Sequence, residues 1–213
     1  MNFANKLTII RLMLVLPFLT LMGVALSYTQ DNLSFTSFNT KTILFITSGI
    51  IFTFAMITDY LDGHYARKHQ EVTTFGKLFD PIADKFMTSA AFIMIALLKI
   101  TPFFIPIILI LRDIAVDGSR NLAVKHNKNI AANFWGKLKT VVQVLSILIL
   151  FFVSPAIEPN ALYGFNGANG HWQLWLINFS ALLAVALSLY SGGVYIYQII
   201  PLIKLSEEEA ELD

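Results

Sequence analysis

Six apolar runs recur along this 213-residue chain, at about 7–28, 41–66, 77–99, 102–125, 134–154 and 172–203. Each has about the length a helix needs to cross a hydrocarbon layer ~30 Å thick, and no other feature restricts the possible folds as severely. The composition agrees: 14% of residues are charged and 56% are hydrophobic, whereas a soluble domain carries roughly 25% charged residues. The pattern predicts an all-α integral membrane protein, a six-transmembrane-helix bundle forming one domain over 1–213. Polar or helix-breaking stretches separate the runs: "YTQDNLSFTSFN", "KITP" and "SPAIEPNALYGFNGANGHW". Cysteine is absent, which excludes disulfides, thiolate nucleophiles and Cys-ligated zinc.

The first run follows Lys6 and contains Arg11, as a secretory signal would, but it is long for a signal core and five more runs follow. It is read as a retained helix, with Met1 to Lys6 as a short interfacial segment. Cation bias then orients the bundle. With both termini, the 66–77 turn and the 125–139 connection on one side, thirteen of the 15 Lys and Arg residues collect there. Only Lys41 and Lys99 fall on the other, so both termini are expected in the cytoplasm and the protein in the cell membrane. The last run is long enough to require tilt, a bend or protrusion, with Gly192-Gly193 as the natural bending or close-packing point. The tail 205–213 is acidic and is expected to be solvated. Trp172 and Trp175 read as interfacial anchors.

Four of the eight aspartates, Asp59, Asp62, Asp80 and Asp84, lie within "TDYLDGHYARKHQEVTTFGKLFDPIADK", flanked on both sides by apolar runs. Residues three and four apart share a helix face, so the four form two carboxylate pairs at the facing ends of successive antiparallel spans. Such charges are costly at membrane level without cationic compensation. A hard divalent ion, Mg²⁺, Mn²⁺ or Ca²⁺, supplies it through oxygen ligands, and four carboxylates suit two ions ~3.5–4 Å apart. Gly63 and Gly76 leave room for a ligand or a neighbouring helix. Arg67, in line with Asp59 and Gly63 at four-residue spacing, is placed to meet an anion. His64, His69, His126 and His171 show no zinc spacing.

The arrangement Asp59-x2-Asp62-Gly63-x2-Ala66-Arg67-x8-Gly76-x3-Asp80-x3-Asp84 resembles the signature of the CDP-alcohol phosphotransferases at every fixed position. At typical residue usage such a match arises by chance roughly once in 10¹⁰ start positions. "NKLTIIR", "LRDIAVDGSRNLA" and "GKLKTVVQ" also look like bacterial phosphatidylglycerophosphate synthases, which often carry Pro where Ala4 stands here. The resemblance implies transfer of a phosphatidyl group from CDP-diacylglycerol to an alcohol, with CMP as leaving group, Mg²⁺ or Mn²⁺ as cofactor, Asp59, Asp62, Asp80 and Asp84 as metal ligands, Asp84 also as general base, and a homodimer. Thr8, Gly63, Ala66, Arg67 and Gly76 are expected at the CDP end. Arg11 either joins them or snorkels to the interface.

Arg112, Arg120, Lys137 and Lys139 are concentrated near the expected cytoplasmic ends of the fourth and fifth runs. They are read as the phosphate clamp for glycerol 3-phosphate, against pairing within the bundle or contact with anionic lipid. Asp113 and Asp117 are read as partners of those arginines. Expected partners are thus CDP-diacylglycerol, glycerol 3-phosphate and membrane lipids, and no nucleic acid. Three alternatives stay open: the same family with inositol phosphate or serine as acceptor, a membrane prenyltransferase, and a divalent-cation transporter.

Overall fold

The computed structural model describes residues 3–30, 35–69, 74–125, 134–157 and 172–210, all but a few of them helical. The helices are α1 (Phe3–Gln30), α2 (Phe35–His69), α3 (Thr74–Leu97), α4 (Phe104–Lys125), α5 (Phe134–Phe152), the single turn α6 (Ser154–Ile157) and α7 (Trp172–Ala210). All six apolar runs therefore become helices. Four have stretches long and apolar enough to cross a membrane: Lys6–Tyr28, Thr40–Leu61, Phe134–Phe152 and Trp175–Gln198. α3 contributes a shorter apolar stretch, Lys85–Leu97, and α4 carries Arg112, Asp113, Asp117 and Arg120 from near its middle onward.

Several boundaries differ from the sequence expectation. No break separates Phe3 to Lys6 from the rest of α1, so these residues open the first helix. α2 begins at Phe35, inside the stretch read as a loop, and continues past Asp59 to His69. Its 35 residues span about 52 Å at 1.5 Å per residue, well beyond a ~30 Å hydrocarbon layer. α7 is likewise continuous through Gly192-Gly193 and on into the acidic segment as far as Ala210.

α1 packs on α2 and α3, α7 packs on α5 and α4, and α5 also meets α2 and α3. Phe151 of α5 is fully buried at the centre of this arrangement. Its ring lies against Phe18 of α1 and against Phe45 and Phe52 of α2, with centroids 4.8–6.1 Å apart, in the range of favourable aromatic pairs. Gly49 makes that approach possible, because a Cβ there would stand 2.8 Å from the Phe151 Cβ. Hydroxyls inside the apolar helices bond to the preceding turn: Thr47 to Ile43 O, Ser48 to Leu44 O, Thr53 to Gly49 O and Ser146 to Val142 O. Such local bonds satisfy a polar group without a partner helix.

The far end of α3 closes in a Schellman arrangement. Ile100 N–H donates to Ile95 O and Lys99 N–H donates to Ala96 O, while Lys99 takes φ 60°. Asn178 of α7 clasps this turn, donating to Ile100 O at 2.9 Å and accepting from Thr101 Oγ1 at 2.8 Å. A left-handed backbone costs an L-residue roughly 1–2 kcal/mol, and glycine avoids most of it. Lys99→Gly is therefore expected to stabilise the protein by about 1 kcal/mol, read as a higher melting temperature in detergent. A lower one would show that the lysine side chain outweighs the backbone strain.

Candidate active site

The stretch of α4 from Arg112 to Arg120 faces the first half of α5, Tyr195 of α7 and the start of α3's apolar stretch. Between them lies a cavity of about 270 Å³. Its charged lining comprises Lys85, Arg112, Arg120, Lys137, Lys139, Asp113 and Asp117, five cations against two carboxylates. All four residues read from the sequence as the phosphate clamp are thus brought together.

Each charge has a defined seat. Lys139, buried on α5, donates to both Asp113 oxygens at 2.7 and 2.9 Å. Arg112 donates from Nη1 to Asp113 Oδ1 at 2.9 Å, from Nε to the Ser188 carbonyl at 2.9 Å, and from Nη2 to Ser191 Oγ. Three of its five N–H donors are thereby used, which leaves two for a ligand. Arg120 donates from Nη2 to the Tyr195 hydroxyl at 3.2 Å, and its guanidinium lies 5.5 Å from the centre of that ring. Lys137 is exposed at the cavity edge. The pairing of cations within the bundle and the gathering of cations at one cavity are thus both realised.

Asp113 has the expected arginine partner, but Asp117 does not. Asp117 forms its ion pair with Lys85 of α3, because antiparallel packing sets the start of that helix's apolar stretch against the second half of α4. Lys85 had no role in the sequence reading beyond its charge. Its position immediately after Asp84 was the available signal. Thr88, Gln143 and Tyr195 also line the cavity unforeseen.

Among the four motif aspartates, Asp59 has a described side chain. Its Oδ1 lies 2.6 Å from Nη1 of Arg11, whose side chain is completely enclosed while that of Asp59 is 42% exposed. Arg11 therefore does not snorkel to the interface. It is held inside the bundle by a carboxylate, as a buried guanidinium requires. Thr8, one turn earlier on α1, is also buried. Asp62, Gly63, Ala66 and Arg67 fall on the continuous last turns of α2, and Gly76, Asp80 and Asp84 fall on the first turns of α3. The side chains of Asp62, Ala66, Arg67, Asp80 and Asp84, and the surroundings of Gly76, lie outside the described residues, as do the side chains of the four histidines. No cluster of metal-ligating side chains occurs among the described residues, which contain only one of the four carboxylates.

The donor chemistry still fits a hard divalent cation. Asp59 presents a partly exposed carboxylate on α2, ten residues before the helix ends at His69, and its several lone-pair sites allow pairing with Arg11 and ligation together.

Outside the cavity, Trp172 and Trp175 are exposed at the start of α7, as anchors at a membrane interface would be. The sequence reading missed a second aromatic group at the opposite end of the bundle. Trp135 packs edge-on against Tyr190 at 5.1 Å, beside exposed Phe134.

Comparison with known proteins adds an independent line. Residues 1–189 match the family model described as CDP-alcohol phosphatidyltransferase. A CDP-diacylglycerol–glycerol-3-phosphate 3-phosphatidyltransferase of Mycoplasma pneumoniae is 38% identical over 208 residues, covering 94% of this chain and 88% of the relative. The protein of the same description from Mycoplasma genitalium is 34% identical, covering 93% of this chain and 84% of its own length. That from Bacillus subtilis is 34% identical over 149 residues, covering 70% and 76%.

Proposed function

Because the chain belongs to the CDP-alcohol phosphatidyltransferase family, we propose that it transfers the phosphatidyl group of CDP-diacylglycerol to glycerol 3-phosphate, giving phosphatidylglycerophosphate and CMP. The observation that carries the choice of acceptor is the cavity lined by Arg112, Arg120, Lys137 and Lys139. It abuts the aspartate motif on α3: Lys85, which follows Asp84, and Thr88, one turn beyond it, both line the cavity. An acceptor whose phosphate rests among these cations would have its hydroxyl within reach of the motif. The relatives' descriptions name the same acceptor.

In the proposed reaction Asp84 accepts the proton of the attacking hydroxyl as general base. The hydroxyl oxygen bonds to the phosphorus that carries diacylglycerol, the bond from that phosphorus to the bridging oxygen breaks, and CMP leaves with the electron pair. Asp59, Asp62 and Asp80, with Asp84 beside them, would hold two divalent ions, Mg²⁺ or Mn²⁺, which neutralise the charge of the diphosphate and of departing CMP. Thr8, Gly63, Ala66, Arg67 and Gly76 surround the CDP end. Arg11 fixes the orientation of Asp59 through their ion pair. Arg112 and Arg120 contribute directional N–H donors to the acceptor phosphate, while Lys137 and Lys139 add charge.

The bundle is proposed to cross the cell membrane six times as one domain, with α3 and α4 crossing beside the four more apolar helices. Both termini and the site face the cytoplasm, in accord with the cation bias. The homodimer implied by the family resemblance belongs to the same proposal.

The test is CMP release by the purified, folded protein with CDP-diacylglycerol, Mg²⁺ or Mn²⁺, and a panel of acceptors. Release is expected with glycerol 3-phosphate. Release with serine or inositol phosphate alone would replace the acceptor, and no release with any acceptor would overturn the reaction.

A further inference from the structure

Four residues of α7, Ser188, Ser191, Gly192 and Tyr195, stand at the spacing i, i+3, i+4, i+7 that lines one face of a helix. All four are buried on a helix that otherwise presents many exposed apolar side chains. Three of them follow the end of the family match at residue 189. Each meets an arginine of α4. The Ser188 carbonyl and Ser191 Oγ accept from two nitrogens of Arg112, and the Tyr195 hydroxyl and ring engage Arg120.

Gly192 completes the seat by having no side chain. A Cβ at that position would lie 3.1 Å from Arg112 Cγ and 3.2 Å from its Nε, inside the 3.5–4.0 Å optimum for nonbonded atoms. The guanidinium has nowhere to retreat without loosening a bond, because Nε and Nη2 are tied to α7 and Nη1 to Asp113. Gly193 faces the opposite situation: it is exposed, and a Cβ there would meet nothing within 4 Å.

We infer that this α7 face is a positioning device that aims Arg112 and Arg120 at the phosphate of the acceptor, and so determines acceptor specificity. The inference rests on the reading of the cavity as the acceptor site. Neither helix can do this alone. α4 supplies the charges, but a free arginine samples many rotamers, and a phosphate is recognised through two N–H groups held in one plane. α7 removes that freedom before the ligand arrives, which lowers the ordering cost of binding.

The test measures initial rates of CMP release in lipid–detergent micelles, varying each substrate at saturating concentrations of the other. Arg112→Gln is measured first. An unchanged KM for glycerol 3-phosphate would overturn the acceptor-site reading itself, independently of the seat. Given a raised KM there, Gly192→Ala is expected to raise the KM for glycerol 3-phosphate about tenfold, as a sub-ångström displacement of a binding group can. The KM for CDP-diacylglycerol should stay within about twofold, and Gly193→Ala, with the same gain in helix propensity, should change neither. The inference fails if Gly192→Ala leaves the acceptor KM unchanged, if both KM values rise together, or if Gly193→Ala has the same effect. If Gly192→Ala does not fold, Ser191→Ala, which removes the acceptor for Nη2, and Tyr195→Phe, which removes the acceptor for Arg120, decide the matter. Each is expected to raise the acceptor KM severalfold, and no rise in either sinks the proposal.

Discussion

Asp84→Asn is expected to slow CMP release by about 10²–10⁴-fold, the usual contribution of a general base, while the protein still binds CDP or CMP. The substitution keeps the shape of the side chain and one oxygen ligand but removes the carboxylate that accepts the proton. Asp59, Asp62 and Asp80 would still supply anionic ligands, so a titration of nucleotide in the presence of Mn²⁺ should give an affinity close to that of the unaltered protein. Rate and binding must be measured on the same preparation. Loss of nucleotide binding in parallel with turnover would assign Asp84 to the metal site alone and leave the base unidentified. Unchanged turnover would remove it from both roles.

Asp113→Ala is expected to lower stability by about 3–5 kcal/mol, the usual cost of removing one partner from a buried ion pair. Asp113 faces two enclosed cations, with side-chain exposures of 11% for Arg112 and 6% for Lys139 against 16% for Asp113 itself. Its loss leaves both without their shared anion. For a chain of this length the change corresponds to a fall in melting temperature of about 6–20 °C. Asp113→Ala combined with Lys139→Met removes one of the stranded charges and should recover part of the loss, since residues in one network do not act additively. A melting temperature for Asp113→Ala within about 1 °C of the unaltered protein would show that solvent reaches these cations, and that the cavity needs no internal counter-ion.

These two expectations differ in where their grounds lie. The grounds for Asp84 lie in the chain alone: helical spacing groups the four carboxylates beside glycines and Arg67 without any knowledge of how the helices cross, and the family resemblance implies which of the four is the base. The role of Asp113 was half legible. Its neighbour Arg112 follows from the chain, but Lys139 lies 26 residues away on another helix, and nothing in the local pattern selects it over Lys137. Asp117 shows the limit most plainly. Spacing alone offered it the same arginines as Asp113, whereas packing gave it Lys85, 32 residues distant. The interface reading of Arg11 failed for a related reason. A cation near the start of a span snorkels by default, unless a carboxylate from a neighbouring helix receives it, as Asp59 does.

The sequence by itself determined the six long helices, the family and the aspartate motif, because apolar length, helical period and motif spacing are properties of contiguous residues. Helix limits were less certain, since α2 and α7 run on through polar turns that carry no strong breaker at their ends. Only the tertiary structure added Lys85 to the four cations grouped from the sequence, and decided which carboxylate pairs with which cation and which helix bonds to the arginines. Those assignments join residues up to 79 positions apart and depend on the close approach of α4 to α7, where the absence of a Cβ at Gly192 matters only against Arg112 on a different helix.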